Sequence, residues 1–152
     1  MTPDSDSAAV LWSAYTAAHP EHAGDLPVVE CFGDSPALAD ELLALVVEGR
    51  KRATAGTVEH DGDAVVQGGH WIVTDGAGTA QAVLRTTEVR HGPLVSVDEA
   101  FAWDEGEGDR SRDDWLRGHR AYFRRTLGRD DVDDLPTVFE RFTVVWPPGI
   151  AD

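Results

Sequence analysis

The hydrophobic periodicity of the chain changes at Gly49, and this change constrains the fold more than any other feature. Before Gly49, apolar residues recur at helical spacing, whereas after it short β runs of period two dominate as far as Arg90. A short helix, a long helix and a terminal strand complete the chain. This order predicts an α+β domain with a small, mainly antiparallel sheet or barrel flanked by helices, rather than repeated βαβ units.

Two helices are predicted in the first third of the chain. One spans about 7–19, with Ser7 as its N-cap, and ends before Pro20. The second spans 36–48, because Ser35 is a favourable N-cap and Pro36 suits the first helical position. Gly49 follows directly and is suited to the left-handed conformation that ends many helices.

The middle and the end of the chain are predicted to contain most of the strands. A short apolar run lies at 28–32. After it, segments rich in β-forming residues occur at 54–58, 71–74, 80–90 and 137–146. The Asp-Gly turn at 75–78 predicts a hairpin between two of them. A short helix at 96–103 leads into an acidic loop, and Ser111 is the expected cap of the last long helix, with Asp114 in the capping-box position.

Composition indicates one globular domain without a membrane span. The chain has 152 residues, 41% hydrophobic and 27% charged, and no apolar run approaches the ~18 residues that a span needs. We expect a domain at 28–147, with the helix and loop of 1–27 packed on it and a frayed tail at 148–152. The acidic N-terminus lacks the bases of a secretory signal, which predicts a cytoplasmic protein. The single Cys31 excludes an internal disulfide, and a structural zinc site is not expected.

The net charge of −15 excludes a protein that coats nucleic acid non-specifically, since that mode neutralises many phosphates. A small nucleic-acid ligand remains compatible with it. Positive charge is concentrated at 50–52 and in the arginine-rich segment 110–129. That segment is interpreted either as a local positive field or as a solvated helix face.

Lys51 is the only lysine among thirteen basic residues. Arginine is effectively never deprotonated, whereas a partly buried lysine can lose its proton and act as a base. Thr54 lies three residues later, at the junction of a helix and a strand. A neutral Lys51 amine could therefore activate the Thr54 hydroxyl for attack on a carbonyl or phosphorus centre. The alternative is a solvated lysine beside an ordinary strand threonine.

The acidic loop offers a second group of candidate residues. Glu105, Glu107 and Asp109 are followed by Arg110, and clustered carboxylates raise one another's pKa, so that one can act as a general acid or base near neutral pH. The loop lacks the ligand pattern of an EF-hand, and a solvated turn is the alternative. On the last helix, His119 could stack on a base or be a satisfied core residue.

In this order the segments resemble the ASCH domains, a PUA-like family. The resemblance covers about 28–146 and rests on Gly49, Arg50, Lys51 and Thr54 together with the segments 71–76, 86–89, 105–111 and 140–142. It implies a small β-barrel flanked by helices, with a cleft for single-stranded RNA or a pyrimidine nucleoside. No cofactor, metal or membrane is implied, and monomer and homodimer remain open.

The resemblance also implies metal-independent hydrolysis, either of RNA or of N4-acylated cytidine. Its catalytic set falls on Lys51, Thr54 and Glu105, with Glu107 as a competing carboxylate. In the amide version Thr54 attacks, Lys51 is the base and Glu105 shuttles the proton. In the phosphodiester version the RNA 2′-hydroxyl attacks and Lys51 stabilises charge or moves a proton.

The substrate-binding residues expected around this set include basic, acidic and aromatic side chains. They are Arg50, Arg52, Glu107, Asp109, Arg110, His119 and Tyr122. The alternative function is a non-catalytic RNA-binding module, in which the basic residues contact phosphate and aromatic faces hold bases.

Overall fold

A computed structural model describes residues 2–152 and contains one five-stranded mixed sheet. The strands are β1 Val28–Glu30, β2 Ala53–Thr57, β3 His70–Thr74, β4 Ala80–Pro93 and β5 Pro136–Trp146, in the spatial order β1-β3-β4-β5-β2. β1 and β3 are parallel, and every other pair is antiparallel. The sheet curls into a half-barrel with β1 and β2 at its edges. The predicted α+β class and mainly antiparallel sheet are confirmed.

Within residues 2–152, five α-helices flank the sheet. They are α1 Ser5–Ala18, α2 Pro36–Val47, α3 Val58–Asp61, α4 Glu99–Glu105 and α5 Arg112–Leu127, with 3₁₀ turns at Pro20–His22 and Leu94–Ser96. Ser35 caps α2 as predicted, and Gly49 has the left-handed φ of 84° that turns the chain out of this helix. None of these helices is long and apolar enough to cross a membrane, within the part of the chain that the structure describes.

Several predicted helix boundaries are wrong. Asp4, not Ser7, caps α1, and the Ser7 hydroxyl instead accepts a hydrogen bond from the Ala80 amide of β4 at 3.0 Å. The predicted strand at 54–58 ends one residue early, because the Thr57 side chain caps the unpredicted α3. The helix predicted at 96–103 begins later, at an Asp98 cap, and continues to Glu105. This extension places Glu105 in the last helical turn.

The predicted frayed tail is also wrong. The Asp152 backbone amide donates to the Val144 carbonyl at 2.9 Å. The Asp152 carboxylate forms an ion pair with Arg52 at 2.8 Å. These contacts hold the last residue against β5.

Three hydrophobic clusters hold the helices on the sheet. One joins α4 and α5 to β2 and β5 around Phe101, Trp115 and Phe139. The second packs α2 on the sheet, and the third packs Trp12 and Tyr15 of α1 against it. The first cluster matters most for function, since it brings the end of α4 and one face of α5 against the start of β2.

Two glycines lie directly after helices, and replacing each of them tests how much the end of α4 contributes to the stability of the fold. Gly106 after α4 and Gly128 after α5 both have left-handed φ angles, of 75° and 64°. A Cβ on Gly128 would meet open space, whereas one on Gly106 would lie 2.4 Å from the Arg50 carbonyl oxygen. Gly128→Ala should cost about 1 kcal/mol for the strained φ alone, and Gly106→Ala on the order of 3 kcal/mol because backbone must also move. Urea denaturation of both variants measures this difference, and equal costs would contradict it.

Candidate active site

Lys51 enters the protein interior because of the turn that follows α2. The backbone amides of Arg50 and Lys51 both donate to the Leu45 carbonyl, at 2.9 and 3.0 Å. This turn directs the lysine side chain inward, where it is 1% exposed. Its Nζ donates to the Ala53 carbonyl at 2.8 Å, to Glu107 Oε2 at 3.0 Å and to the Glu105 carbonyl at 3.5 Å. Each of the three ammonium protons thus has an acceptor, a geometry that favours the charged amine over a neutral base.

Glu105 is a buried carboxylate surrounded by donors. Its Oε2 accepts from Trp115 Nε1 at 2.5 Å, and its Oε1 lies 3.0 Å from His119 Nε2 and 3.7 Å from Lys51 Nζ. Burial alone would raise the pKa of Glu105, but the adjacent His119 and Lys51 outweigh it and hold this pKa well below its ordinary value. Glu105 is therefore ionised at neutral pH.

His119 is the second cation of the cluster. Its Nδ1 lies 2.9 Å from the Trp115 carbonyl, and its ring stacks on the Trp115 indole at 3.7 Å between centroids. Burial lowers the pKa of His119, but the Glu105 carboxylate more than offsets this and raises the pKa above its usual range. Both ring nitrogens face acceptors, as an imidazolium requires.

Glu107 has the opposite electrostatic character from Glu105. Its side chain is 30% exposed, so it can reach a ligand in the cavity. Burial, reinforced by the Glu105 carboxylate and opposed by Lys51, raises the pKa of Glu107 to about 7. A carboxyl group with this pKa can accept and return a proton near neutral pH. Of the two competing carboxylates, Glu107 has the properties of a proton carrier.

The predicted basic residues hold the acidic loop in place. The Arg50 guanidinium donates to the Gly106 carbonyl at 2.7 Å and to the Gly108 carbonyl at 2.8 Å. The Arg110 guanidinium donates to the Trp103 carbonyl at 2.8 Å and stacks over the Trp103 ring at 3.9 Å. These contacts fix the backbone that carries Glu105 and Glu107.

Two further predicted residues have similar local contacts. Arg52 donates to the Val46 carbonyl at 2.8 Å in addition to its ion pair with Asp152. Asp109 accepts from the Ser111 amide at 2.8 Å, at the start of α5. Arg50, Arg52, Asp109 and Arg110 do not line either of the two cavities described next.

Six of the predicted site residues line one cavity of about 380 Å³. They are Lys51, Thr54, Glu105, Glu107, His119 and Tyr122. A larger cavity of about 650 Å³ adjoins it, and the two share part of their walls, including Phe32, Thr54 and Tyr122. Both volumes lie in the range of about 300–1,000 Å³ typical of small-molecule sites.

The sequence-based reasoning missed Glu140 as a site residue. Glu140 lies on β5 with its side chain lining the larger cavity, and its Oε2 accepts from Trp71 Nε1 at 3.1 Å and from Thr86 Oγ1 at 2.8 Å. A carboxylate between the apolar Val138 and Phe142 on one face of the strand was the available signal.

A metal ion is disfavoured in the smaller cavity. Ligand atoms of Glu105, Glu107 and His119 lie within 4.8 Å of one another. However, the Lys51 ammonium contacts both carboxylates, and His119 uses its Nε2 on Glu105. A cation would have to displace these internal partners.

Comparison with known proteins identifies the family. The profile of the ASCH domain matches residues 29–146. The chain belongs to the ASCH domain family. Members of this family are generally RNA-binding, and the observed half-barrel with flanking helices agrees with the predicted PUA-like fold. No curated protein matches the chain significantly.

Two solved structures resemble the chain over most of its length. A protein from Enterococcus faecalis, assigned to the DUF984 family, is 30% identical with a TM-score of 0.82, over 93% of this chain and 89% of that one. An ASCH domain from Lactobacillus crispatus is 25% identical with a TM-score of 0.80, over 93% of this chain and 96% of that one.

Removal of the Lys51 charge should destabilise the protein. Lys51→Met leaves the buried Glu105 carboxylate without one of its two cations, and breaking such a pair costs about 3 kcal/mol. The matched control is Arg117→Met, because the Arg117 side chain is 73% exposed in its ion pair with Asp114 and should contribute less than about 1 kcal/mol. Urea denaturation measures both, and a similar small loss in each variant would contradict the buried charge cluster.

The raised pKa of Glu107 predicts how stability depends on pH. The folded protein binds the Glu107 proton more tightly than the unfolded chain does, so this contribution is fully present below pH 4.5 and is lost as the pH rises through about 7. Glu107→Gln removes this titration. Between about pH 5 and about pH 8 the variant should lose less unfolding free energy than the wild type. Glu41→Gln, which removes an exposed carboxyl group of α2, is the matched control. A slope in Glu107→Gln equal to that of the wild type would contradict the assignment.

Proposed function

We propose that the cleft binds a pyrimidine nucleoside, free or within single-stranded RNA, and hydrolyses an amide bond on it without a metal. N4-acylated cytidine is the substrate type that the family resemblance suggests. The observation that carries the proposal is the arrangement around Glu107. A carboxyl group with a pKa of about 7 lies 3.0 Å from a buried ammonium, in a cavity that the Thr54 hydroxyl also lines.

In the proposed first step the Thr54 hydroxyl attacks the amide carbonyl. Ionised Glu107 takes the hydroxyl proton, and the Lys51 ammonium stabilises the negative oxygen of the tetrahedral intermediate. Protonated Glu107 then donates its proton to the departing nitrogen, leaving an ester on Thr54. Water hydrolyses this ester with Glu107 again as base, so the products are the free amine, the carboxylic acid and the regenerated threonine.

These roles differ from those expected from the sequence. Lys51 has an acceptor for each of its protons and is proposed as an electrostatic stabiliser rather than a base. Glu105 is held as an anion by Trp115 and His119, so it is proposed to position Lys51 and His119. Proton transfer is assigned to Glu107.

The charge of the cleft supports an amide substrate over a phosphodiester. Seven carboxyl groups line the two cavities: Glu30, Glu59, Asp61, Glu105, Glu107, Asp114 and Glu140. The basic lining residues outside the larger cavity are Lys51, His119 and Arg125. His119 already contacts Glu105 at 3.0 Å, and Arg125 pairs with Asp34 at 2.9 Å. A phosphodiester would be repelled by most of this surface, whereas a neutral base and amide would not.

The central test measures hydrolysis of N4-acetylcytidine by Thr54→Ala and Glu107→Gln. Thr54→Ala removes the proposed nucleophile and Glu107→Gln removes the proposed proton carrier. Each change should therefore lower kcat by about 100-fold or more. Thr87→Ala, an exposed threonine on β4, is the matched control and should retain full activity. Short RNA oligomers are assayed in parallel. RNA cleavage that persists in Thr54→Ala while amide hydrolysis is lost would show a phosphodiester activity that needs no threonine nucleophile. Full amide activity in Thr54→Ala would contradict the proposal.

Lys51→Arg separates hydrolysis from a non-catalytic RNA-binding module. A phosphate contact should largely survive this change. The buried pocket around Nζ has acceptors only for a compact ammonium, so we expect hydrolysis to fall by about 10-fold or more. The non-catalytic module would be established instead if the protein bound RNA without hydrolysing it, if this binding weakened steeply with salt, and if it survived Lys51→Arg.

A further inference from the structure

The larger cavity has a strongly negative wall. Four of its lining residues carry carboxyl groups: Glu30, Glu59, Asp61 and Glu140. No lysine or arginine among residues 2–152 lines it. Burial, with the nearby charges of His22 and Arg85, lowers the pKa of His70 to about 4, so this lining histidine is neutral at neutral pH. His60 also lines the cavity, and its Nε2 lies 3.8 Å from Asp61 Oδ1. The wall therefore contains more acidic than basic groups.

Glu140 supplies an oxygen without a protein partner at the base of this cavity. The residue is only 4% exposed, and both of its hydrogen bonds, from Trp71 and Thr86, reach Oε2. Every fully buried side-chain oxygen within residues 2–152 has a partner. Because Oε1 has none and Glu140 lines the cavity, Oε1 faces the open space. A carboxylate oxygen in this position is free to accept a hydrogen bond from a ligand that displaces water from the cavity.

Asp61 is brought to the same wall by a glycine. A Cβ built on Gly56 of β2 would lie 1.9 Å from Asp61 Oδ2, so the carboxylate occupies the space that a side chain would fill. Burial raises the pKa of Glu30, Asp61 and Glu140, and the Asp61 charge raises the pKa of the other two further. The three groups are thus electrostatically coupled, and a positive charge among them would stabilise the ionised forms.

We propose that the larger cavity binds a cationic group of the substrate, a primary ammonium or guanidinium, with Glu140 Oε1 as its direct acceptor and Asp61 and Glu30 beside it. This inference rests on the proposed function for the origin of the cation. Thr54 lines both cavities, so the two substituents of an amide attacked by Thr54 would extend into the two spaces. The substituent in the larger space carries the positive charge.

The aromatic wall is compatible with such a ligand. Trp71 lines the larger cavity, and its ring packs edge-on against Phe32 at 5.4 Å between centroids. Aromatic faces attract ammonium and guanidinium groups. The indole N–H of Trp71 also donates to Glu140, so a ligand on Glu140 should change the environment of this proton.

The first experiment measures binding without turnover. n-Butylammonium chloride is titrated into the ¹⁵N-labelled protein, and the indole N–H signals of the five tryptophans are followed, with Trp71 assigned from Trp71→Phe. We expect a saturable shift of the Trp71 signal that neutral n-butanol does not produce. Glu140→Gln should weaken the affinity by about 10-fold or more, because a hydrogen bond to a charged group is lost.

Further variants test the same site even if Glu140→Gln does not fold. Asp61→Asn should also weaken n-butylammonium binding, and Gly56→Ala should do so by displacing the Asp61 carboxylate without removing its charge. Glu48→Gln, a surface carboxylate at the end of α2, is the matched control and should bind as the wild type does. Equal shifts with n-butanol, or unchanged affinity in Glu140→Gln and Asp61→Asn, would overturn the proposal.

A metal ion is the competing occupant. Ligand atoms of Glu30, His60 and Asp61 lie within 4.8 Å of one another, and Glu140 is not part of that group. Zinc chloride is therefore titrated in the same assay. The proposal of an organic cation would be overturned if zinc excluded n-butylammonium and if zinc binding were lost in His60→Ala but retained in Glu140→Gln.

The second experiment compares two substrates that differ in charge. N4-(4-aminobutanoyl)cytidine should be hydrolysed with a kcat/KM about 10-fold or more above that of N4-pentanoylcytidine, and Glu140→Gln should remove this preference. If n-butylammonium binds but neither substrate is hydrolysed, the proposed function fails and the cation site stands. If both are hydrolysed equally and n-butylammonium does not bind, the cation site fails and the function stands.

Discussion

The buried contact between Lys51 and Glu105 is the interaction on which the candidate site depends. Their charged atoms lie 3.7 Å apart with almost no exposure to solvent. Removing two charges from water costs several kcal/mol per ion, so such a pair persists only when other groups satisfy the remaining donors and acceptors. Here Trp115 and His119 satisfy the carboxylate, and the Ala53 carbonyl and Glu107 satisfy the ammonium.

This cluster determines the different roles of the two glutamates. With Lys51 and His119 beside it, Glu105 remains ionised despite complete burial. Burial raises the pKa of Glu107, Lys51 opposes this rise, and the fixed negative charge of Glu105 adds to it. Two carboxyl groups two residues apart thus differ in electrostatic character because of their environments, which is the basis of the separate roles proposed for them.

Much of this arrangement follows from local sequence signals. Ser35, Pro36 and Gly49 fix the bounds of α2, and the turn after Gly49 determines that Lys51 points inward. The strand pattern and the Asp-Gly turn predict the antiparallel hairpin of β3 and β4. These features depend on backbone preferences of a few adjacent residues, which the sequence contains directly.

The features that the sequence does not reveal depend on long-range contacts. Glu105 and Glu107 cannot be ranked without knowing that α4 extends to Glu105 and that His119 of α5 contacts this carboxylate. Arg50 resembles a phosphate ligand in the sequence, yet it holds the Gly106 and Gly108 carbonyls. Glu140 gains its position in the cavity from the pairing of β5 with β4, which no local pattern specifies.

The division of the carboxyl pair is the central claim, and ¹³C NMR titration of the glutamate side-chain carboxyl groups tests it most directly. The account predicts that Glu107 titrates with a pKa of about 7, while Glu105 shows no protonation before the protein unfolds in acid. A Glu107 carboxyl that titrates near its ordinary value of 4.5, or a Glu105 carboxyl that takes up a proton near neutral pH, would contradict it.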